Sequence, residues 1–250
     1  MTTQLDIAKV ALGAFLIPWW NRGAFARALA IPVFFLVTFV LSWYYARAHL
    51  SEGVSWLFFV VYWAGFAIFA VICHRLVLLD PTAVPSQVIP GWSWRETRFI
   101  LRMVGVWSIC AVVALGLAML SASIWMLWVE KLSPTQLDWI VFVVKVPVLY
   151  VFARFCIVFP ATAVDRKVDL KWAWRLTANN GWRLVVLVGA LPWVISQALG
   201  LLYRDEASFV EAIVLACVSS VLFAVEIAAI SLSYRELTQT EGSQSIAASG

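Results

Sequence analysis

The chain has 250 residues, of which 63% are apolar and only 13% are charged, and it contains 15 tryptophans. A soluble domain is about 45–50% apolar, so this composition excludes an ordinary water-soluble fold. The charges stand in short clusters between apolar stretches of about 20 residues, the length that a helix needs to cross a bilayer. These stretches are continuously apolar and do not alternate, which favours helices over a barrel. The sequence predicts one all-α membrane domain over residues 1–238.

The first predicted element is an amphipathic helix on the membrane surface over residues 4–20. Its apolar positions recur at helical spacing and comprise Leu5, Ala8, Leu12, Phe15 and Trp19. Six transmembrane helices follow, at about residues 24–45, 55–74, 99–128, 137–153, 183–203 and 208–234. Residues 239–250 are rich in Ser, Gly, Thr and Gln, so we expect a disordered cytoplasmic tail.

The basic residues predict the orientation of these helices. Of the 18 Lys and Arg residues, 14 fall on the side of the two termini, and Arg47, Lys131 and Arg204 fall on the other side. Because positively charged loops stay in the cytoplasm, both termini are predicted to be cytoplasmic. Lys145 is the remaining basic residue and lies inside the fourth predicted span.

Two cytoplasmic segments repeat each other at an interval of 80 residues. Eight of the sixteen positions in residues 82–97 are identical in residues 162–177. Arg75 and Arg154 precede the two segments at similar positions, and Ile17 to Trp20 form a fainter copy near the start of the chain. Internal repeats of this kind predict three hairpins that enter the membrane with the same polarity, as parallel repeats.

Tryptophan and arginine residues cluster at the predicted cytoplasmic surface. Aromatic rings favour headgroup depth and arginine binds phosphate, so we interpret these residues as interfacial anchors or headgroup contacts. A nucleotide or substrate site is the less favoured interpretation. The candidates are Trp92, Trp94, Arg95, Arg154, Trp172, Trp174, Arg175 and Arg235.

The motifs around the fourth and fifth predicted helices carry a resemblance to a known family. They comprise Arg154, Pro160, Trp174-Arg175-Leu176-Thr177, Trp182-Arg183 and Tyr234-Arg235-Glu236-Leu237. In these residues the chain resembles the integral-membrane domain associated with bacterial glycerophosphodiester phosphodiesterases and related six-helix inner-membrane proteins. The resemblance implies a bacterial inner membrane. It does not imply phosphodiesterase activity, because nothing in the chain corresponds to the soluble catalytic domain.

No motif predicts an enzyme, a metal site or a cofactor. His49 and His74 have no second ligand at metal-binding spacing, and catalytic or phosphate-binding signatures are absent from the sequence. Lys145 and Glu226 are the ionisable residues deepest in the spans, each nine residues before an arginine that ends its helix. They therefore lie at one predicted depth, and we expect them to form an intramembrane ion pair.

Two functions remain open at this point. The leading hypothesis is a non-enzymatic scaffold or accessory subunit that binds partner proteins or anionic membrane lipids through a basic, Trp-rich cytoplasmic face. The alternative is a transporter or channel for a small solute or lipid that uses Lys145 and Glu226; an enzyme acting on lipid-linked substrates ranks third. Nucleic acid is not an expected partner, because the basic residues are spread over short loops that hold no nucleic-acid module.

Overall fold

The computed structural model describes residues 4–49, 52–79, 92–128, 134–200 and 209–247. These residues are helical, with turns and no β-strand among them, which confirms the all-α prediction. In chain order the helices are α1 (Ile7–Trp20), α2 (Arg22–His49), α3 (Glu52–Leu78), α4 (Trp94–Trp128), α5 (Pro134–Phe155), α6 (Val158–Ala163), α7 (Leu170–Leu176), α8 (Gly181–Val185), α9 (Leu191–Gly200) and α10 (Phe209–Ala247). A π-helical segment, Val186–Ala190, joins α8 to α9.

Five stretches within the described helices are long and apolar enough to cross a membrane. They are Arg22–Phe39, Val60–Leu78, Trp94–Leu120, Lys145–Ala163 and Ile213–Gln239, and each overlaps a predicted span. In the span predicted at 183–203 the described helix runs from Gly181 to Gly200 and includes the π-helical segment, and its described apolar stretch is Gly181–Ile195.

The ends of the helices that carry most of the basic residues meet at one end of the bundle. Arg75 near the end of α3 donates to the carbonyl of Ala163, the last residue of α6, at a distance of 3.1 Å. The backbone N–H of Leu5 donates to the side chain of Asn180 at 2.8 Å, just before α8. Lys9 pairs with Glu236 on α10 at 2.7 Å. These contacts gather the start of α1 and the segments around α3, α6, α8 and α10 on one side.

The packed centre of this end is formed by α6 together with α3, α4 and α10. All six residues of Val158–Ala163 are buried. The sequence predicts that the fourth span ends at residue 153, whereas the apolar stretch in the structure, Lys145–Ala163, continues through α6. Its residues are small or apolar, so the surrounding helices bury them. Residues 82–91 of the matching segment lie outside the described part of the chain.

Helix α1 is present as predicted, but it is apolar on more than one face. Val10 and Ala14 are buried against α10, and a Cβ added at Gly13 would lie 3.0 Å from Leu232 Cδ1. In the predicted apolar stripe, Leu12 is 61% exposed and Trp19 is 66% exposed. The protein therefore contacts the face that carries Val10; of the predicted stripe, Leu5 is buried whereas Leu12, Phe15 and Trp19 are exposed.

The tail predicted to be disordered continues α10. The helix extends to Ala247, so residues 239–247 are helical where the sequence predicts a disordered tail, and residues 248–250 lie outside the description. Extending an existing helix avoids the cost of nucleating a new one, and this segment contains no proline.

Candidate functional site

The chain leaves α6 through a Schellman motif in which an aspartate takes the left-handed position. Asp165 has a φ of 61°, and its N–H donates to the Thr162 carbonyl at 3.1 Å. The next N–H, of Arg166, donates to the Ala161 carbonyl at 2.9 Å. Glycine usually occupies this position, because a Cβ is disfavoured at positive φ, although aspartate tolerates it better than most residues. The motif fixes a carboxylate where the chain leaves the packed centre.

Three arginines from two other helices meet the Asp165 carboxylate. Arg95 Nε donates to it at 3.0 Å and Arg98 Nη2 at 2.8 Å, both from the first turns of α4. Arg75 Nη1, near the end of α3, lies 3.6 Å from the same carboxylate. The Asp165 side chain is 43% exposed, so each pair contributes little individually, but the cluster joins α3 and α4 to the turn after α6.

A basic cleft with a volume of about 850 Å³ lies beside this cluster. Its lining contains four basic side chains and one acidic side chain, together with apolar and hydroxyl groups. These residues are Arg98, Leu101, Arg102, Thr162, Arg166, Lys167, Val168, Asp169 and Trp172. We call this feature the basic cleft.

Most of the side chains of the basic cleft are held in place by protein contacts. Arg102 Nη2 donates to the Val168 carbonyl at 2.6 Å. The guanidinium of Arg166 lies 4.9 Å from the centre of the Trp172 ring. Asp169 caps α7 by accepting the Trp172 N–H at 2.6 Å. Lys167 is exposed at the cleft wall. The cleft therefore combines ordered cations, an aromatic wall and one accessible ammonium group.

Arg154, which the sequence predicts as a headgroup contact, is bound inside the protein. Its side chain is buried, and its guanidinium lies 3.7 Å from the Trp174 ring centre. Nε donates to Thr177 Oγ1 at 3.1 Å, and Nη2 donates to the Trp174 carbonyl. A charged side chain at this depth needs donors and acceptors satisfied inside the protein, and the turn after α7 supplies them. Arg154 acts as a structural tie between α5 and α7.

The other predicted anchors occupy different environments in the two matched segments. Trp92 and Trp94 are exposed, whereas Arg95 is bound to Asp165. Trp172 is half-buried, with its ring centre 6.4 Å from that of Tyr234, and Trp174 stacks on Arg154. Arg175 is exposed on α7, and Arg235 is half-buried on α10. Similar sequence in the two segments therefore supports different contacts.

The predicted ion pair between Lys145 and Glu226 is not formed. The salt bridges between described residues do not include a pair of Lys145 and Glu226. The Lys145 side chain is exposed, and the Glu226 side chain is half-buried. Helix α5 packs chiefly against α4 and α8, whereas α10 packs against α1, α2 and α3. Equal depth in the membrane is not sufficient for a pair, because the two helices are not neighbours.

A buried polar pair that was not predicted lies near the cleft. His74 Nδ1 is 2.7 Å from Ser231 Oγ, and both residues are buried. Ser231 Oγ also lies 2.8 Å from the Ile227 carbonyl, to which it donates. Since a hydroxyl has one hydrogen, His74 must donate through Nδ1 for both bonds to exist. The sequence offers no signal for this pair, because the two residues are 157 positions apart.

Comparison with models of protein families, with curated proteins and with solved structures finds no match to this chain. Within the residues that the structure describes, no group of three or more His, Cys, Asp or Glu side chains is placed to hold a metal ion. The Asp165 cluster was also missed by sequence reasoning. Its only sequence signal is the run Asp165-Arg166-Lys167 directly after an apolar segment.

Proposed function

We propose that this protein is a non-enzymatic membrane scaffold or accessory subunit that holds anionic lipid headgroups in the basic cleft. The observation that carries the proposal is the lining of this cleft, which has four basic side chains, one carboxylate and an aromatic wall. A phosphate group is recognised by arginine through paired N–H donors and by lysine through its charge. The apolar side chains of Leu101 and Trp172 suit the part of the acyl chains next to the headgroup.

The orientation that suits this function places the cleft in the cytoplasm, where anionic lipids attract basic residues. The proposed arrangement has six crossings, of which residues 181–200 form the fifth, organised as three parallel hairpins with both termini inside the cell. The support is the distribution of basic residues, 14 against 3. A bacterial inner membrane is part of the same proposal and rests on the family resemblance.

Transport of a small solute or lipid is the second candidate, and the geometry favours it less. This hypothesis depends on Lys145 and Glu226, which lie on helices whose main neighbours differ. An acidic surface of a partner protein is the other occupant that would suit the basic cleft. The experiment below separates these occupants from a lipid headgroup.

The test compares two lysines that differ in their relation to the cleft. Lys167 lines it, whereas Lys171 is exposed on α7 and is not part of the lining. The full chain is reconstituted in phosphatidylcholine nanodiscs that contain spin-labelled phosphatidylglycerol, and the immobilised fraction of the label is measured by electron paramagnetic resonance. The variants are Lys167→Gln and Lys171→Gln, which lose the same charge.

We expect Lys167→Gln to weaken phosphatidylglycerol binding about fivefold, since one basic residue near an anionic surface contributes about 1 kcal/mol. Lys171→Gln should change binding by less than twofold. An equal loss in both variants would indicate a diffuse surface attraction and overturn the cleft as a site. Unchanged binding in both would overturn lipid recognition here and favour an acidic protein partner.

A further inference from the structure

A second, apolar groove lies between α1, α2, α3 and α10, away from the residues of the basic cleft. Its volume is about 580 Å³. Phe25 and Leu29 of α2, Phe69 of α3 and Ala224 of α10 are buried residues that form its floor. Ala26 and Ala30 leave space along the α2 side because their side chains are small.

The lining of this groove is apolar along its length and cationic at one end. Ser220 is the hydroxyl residue in the lining, and its Oγ donates to the Ala216 carbonyl of its own helix at 2.8 Å. The Ser220 hydroxyl therefore has no hydrogen left to donate to a ligand in the groove. Arg22 is exposed at the beginning of α2, with its guanidinium 5.9 Å from the centre of the Trp19 ring.

The dimensions of the groove match one leaflet of a bilayer. The α2 residues that line it run from Arg22 to Val33, which is a length of about 16 Å at 1.5 Å per residue. Half of a hydrocarbon core is about 15 Å thick. Trp19 and Trp20 beside Arg22 are 66% and 70% exposed, as expected of aromatic residues at headgroup depth.

We infer that this groove binds one acyl chain of an anionic phospholipid, with the phosphate held by Arg22. A long apolar slot with a cation at its headgroup end is complementary to a molecule that is apolar along its length and anionic at one end. An apolar partner helix is a poorer occupant, because it offers no anion to the exposed guanidinium of Arg22 at the end of the groove. The inference does not depend on the function proposed for the basic cleft.

The test uses a matched pair of arginines on α2. Arg22 lines the groove, whereas Arg27 is exposed on the same helix and does not line it. The full chain is purified in mild detergent, phosphatidylglycerol or phosphatidylcholine is added, and the lipid-bound fraction is measured by native mass spectrometry. Arg22→Gln should lower the affinity for phosphatidylglycerol about fivefold and that for phosphatidylcholine by less, because the choline cation already neutralises the phosphate of phosphatidylcholine. Arg27→Gln should change neither.

Filling the groove tests the position of the acyl chain. Ala30→Phe should reduce retention of both lipids, whereas Val112→Phe, at a 69% exposed position on α4, should not. Ala26→Phe is the second filling variant if Ala30→Phe fails to fold.

Equal effects of the two arginine variants, or full lipid retention in the filled groove, would overturn the inference. Lys167→Gln should leave this site unaffected, so failure at the basic cleft and failure here are distinguishable.

Discussion

At the scale of single residues, Asp165 combines an unfavourable backbone conformation with a charge that three arginines share. A left-handed conformation costs an ordinary L-residue roughly 1–2 kcal/mol, and asparagine, like aspartate, tolerates it better. The contacts with Arg75, Arg95 and Arg98 explain how a carboxylate is accommodated at a glycine-like position.

We predict that Asp165→Asn and Asp165→Ala both destabilise the protein, with Asp165→Ala the worse by about 1 kcal/mol. Both lose the arginine contacts, but only alanine adds the backbone cost. The measurement is the free energy of unfolding of the purified protein in detergent titrated with sodium dodecyl sulfate. Equal stability of the two variants would show that the backbone conformation contributes nothing.

The pair of His74 and Ser231 is the second residue-scale feature, and a serine on the same helix provides its control. Ser231→Ala should cost about 1–3 kcal/mol, because it leaves a buried imidazole N–H without an acceptor. Ser233 is equally buried and donates within its own helix, to the Ala229 carbonyl, so Ser233→Ala should cost less.

A double variant tests the coupling between the same two residues. His74→Leu with Ser231→Ala removes both partners, so its loss of stability in the detergent titration should be smaller than the sum of the single losses. Strictly additive losses would contradict a hydrogen bond between His74 and Ser231.

At the scale of elements, the π-helical segment packs closely against α5. A Cβ added at Gly189 would lie 2.3 Å from Leu149 Cδ2 and 2.7 Å from its Cγ. The whole Leu149 side chain would have to move, and not only its tip. The segment therefore requires glycine at this position for packing.

We predict that Gly189→Ala destabilises the protein by about 1–3 kcal/mol through overpacking. Gly105 in α4 has nothing within 4 Å of an added Cβ, so Gly105→Ala should be neutral or stabilise by about 0.5–1 kcal/mol. Thermal unfolding of both variants, followed by circular dichroism, gives the comparison. A destabilised Gly105→Ala together with an unchanged Gly189→Ala would refute the close contact.

At the scale of the whole molecule, burial and exposure divide the bundle into two zones. The end that carries the Asp165 cluster holds buried residues from α1, α3, α6 and α10. The described parts of α2, α4 and α10 further from it expose large apolar side chains, such as Phe34, Leu115 and Val214. Such extensive apolar exposure requires an apolar environment, which a bilayer supplies.

We predict that the end with the Asp165 cluster is cytoplasmic, on the basis of the distribution of basic residues. In a background that lacks the four native cysteines, Lys167→Cys should react with an impermeant maleimide only after cells are opened. Lys131→Cys, on the predicted external side, is the positive control and should react in intact cells. Reaction of Lys167→Cys in intact cells would reverse the proposed topology.

The sequence by itself determined the helical class, the positions of five apolar spans and the gathering of basic residues at one end. These are properties of one residue at a time or of neighbours along the chain, because transfer into a bilayer depends on local apolarity. The tertiary structure decided which charges meet. Lys145 and Glu226 share a predicted depth but lie on helices whose main neighbours differ, whereas Asp165 reaches three arginines from α3 and α4. It also decided that Arg154 is buried and that α6 enters the core. Contacts between residues distant in sequence depend on which helices are neighbours and on how each helix is rotated about its axis. Hydropathy does not encode either property.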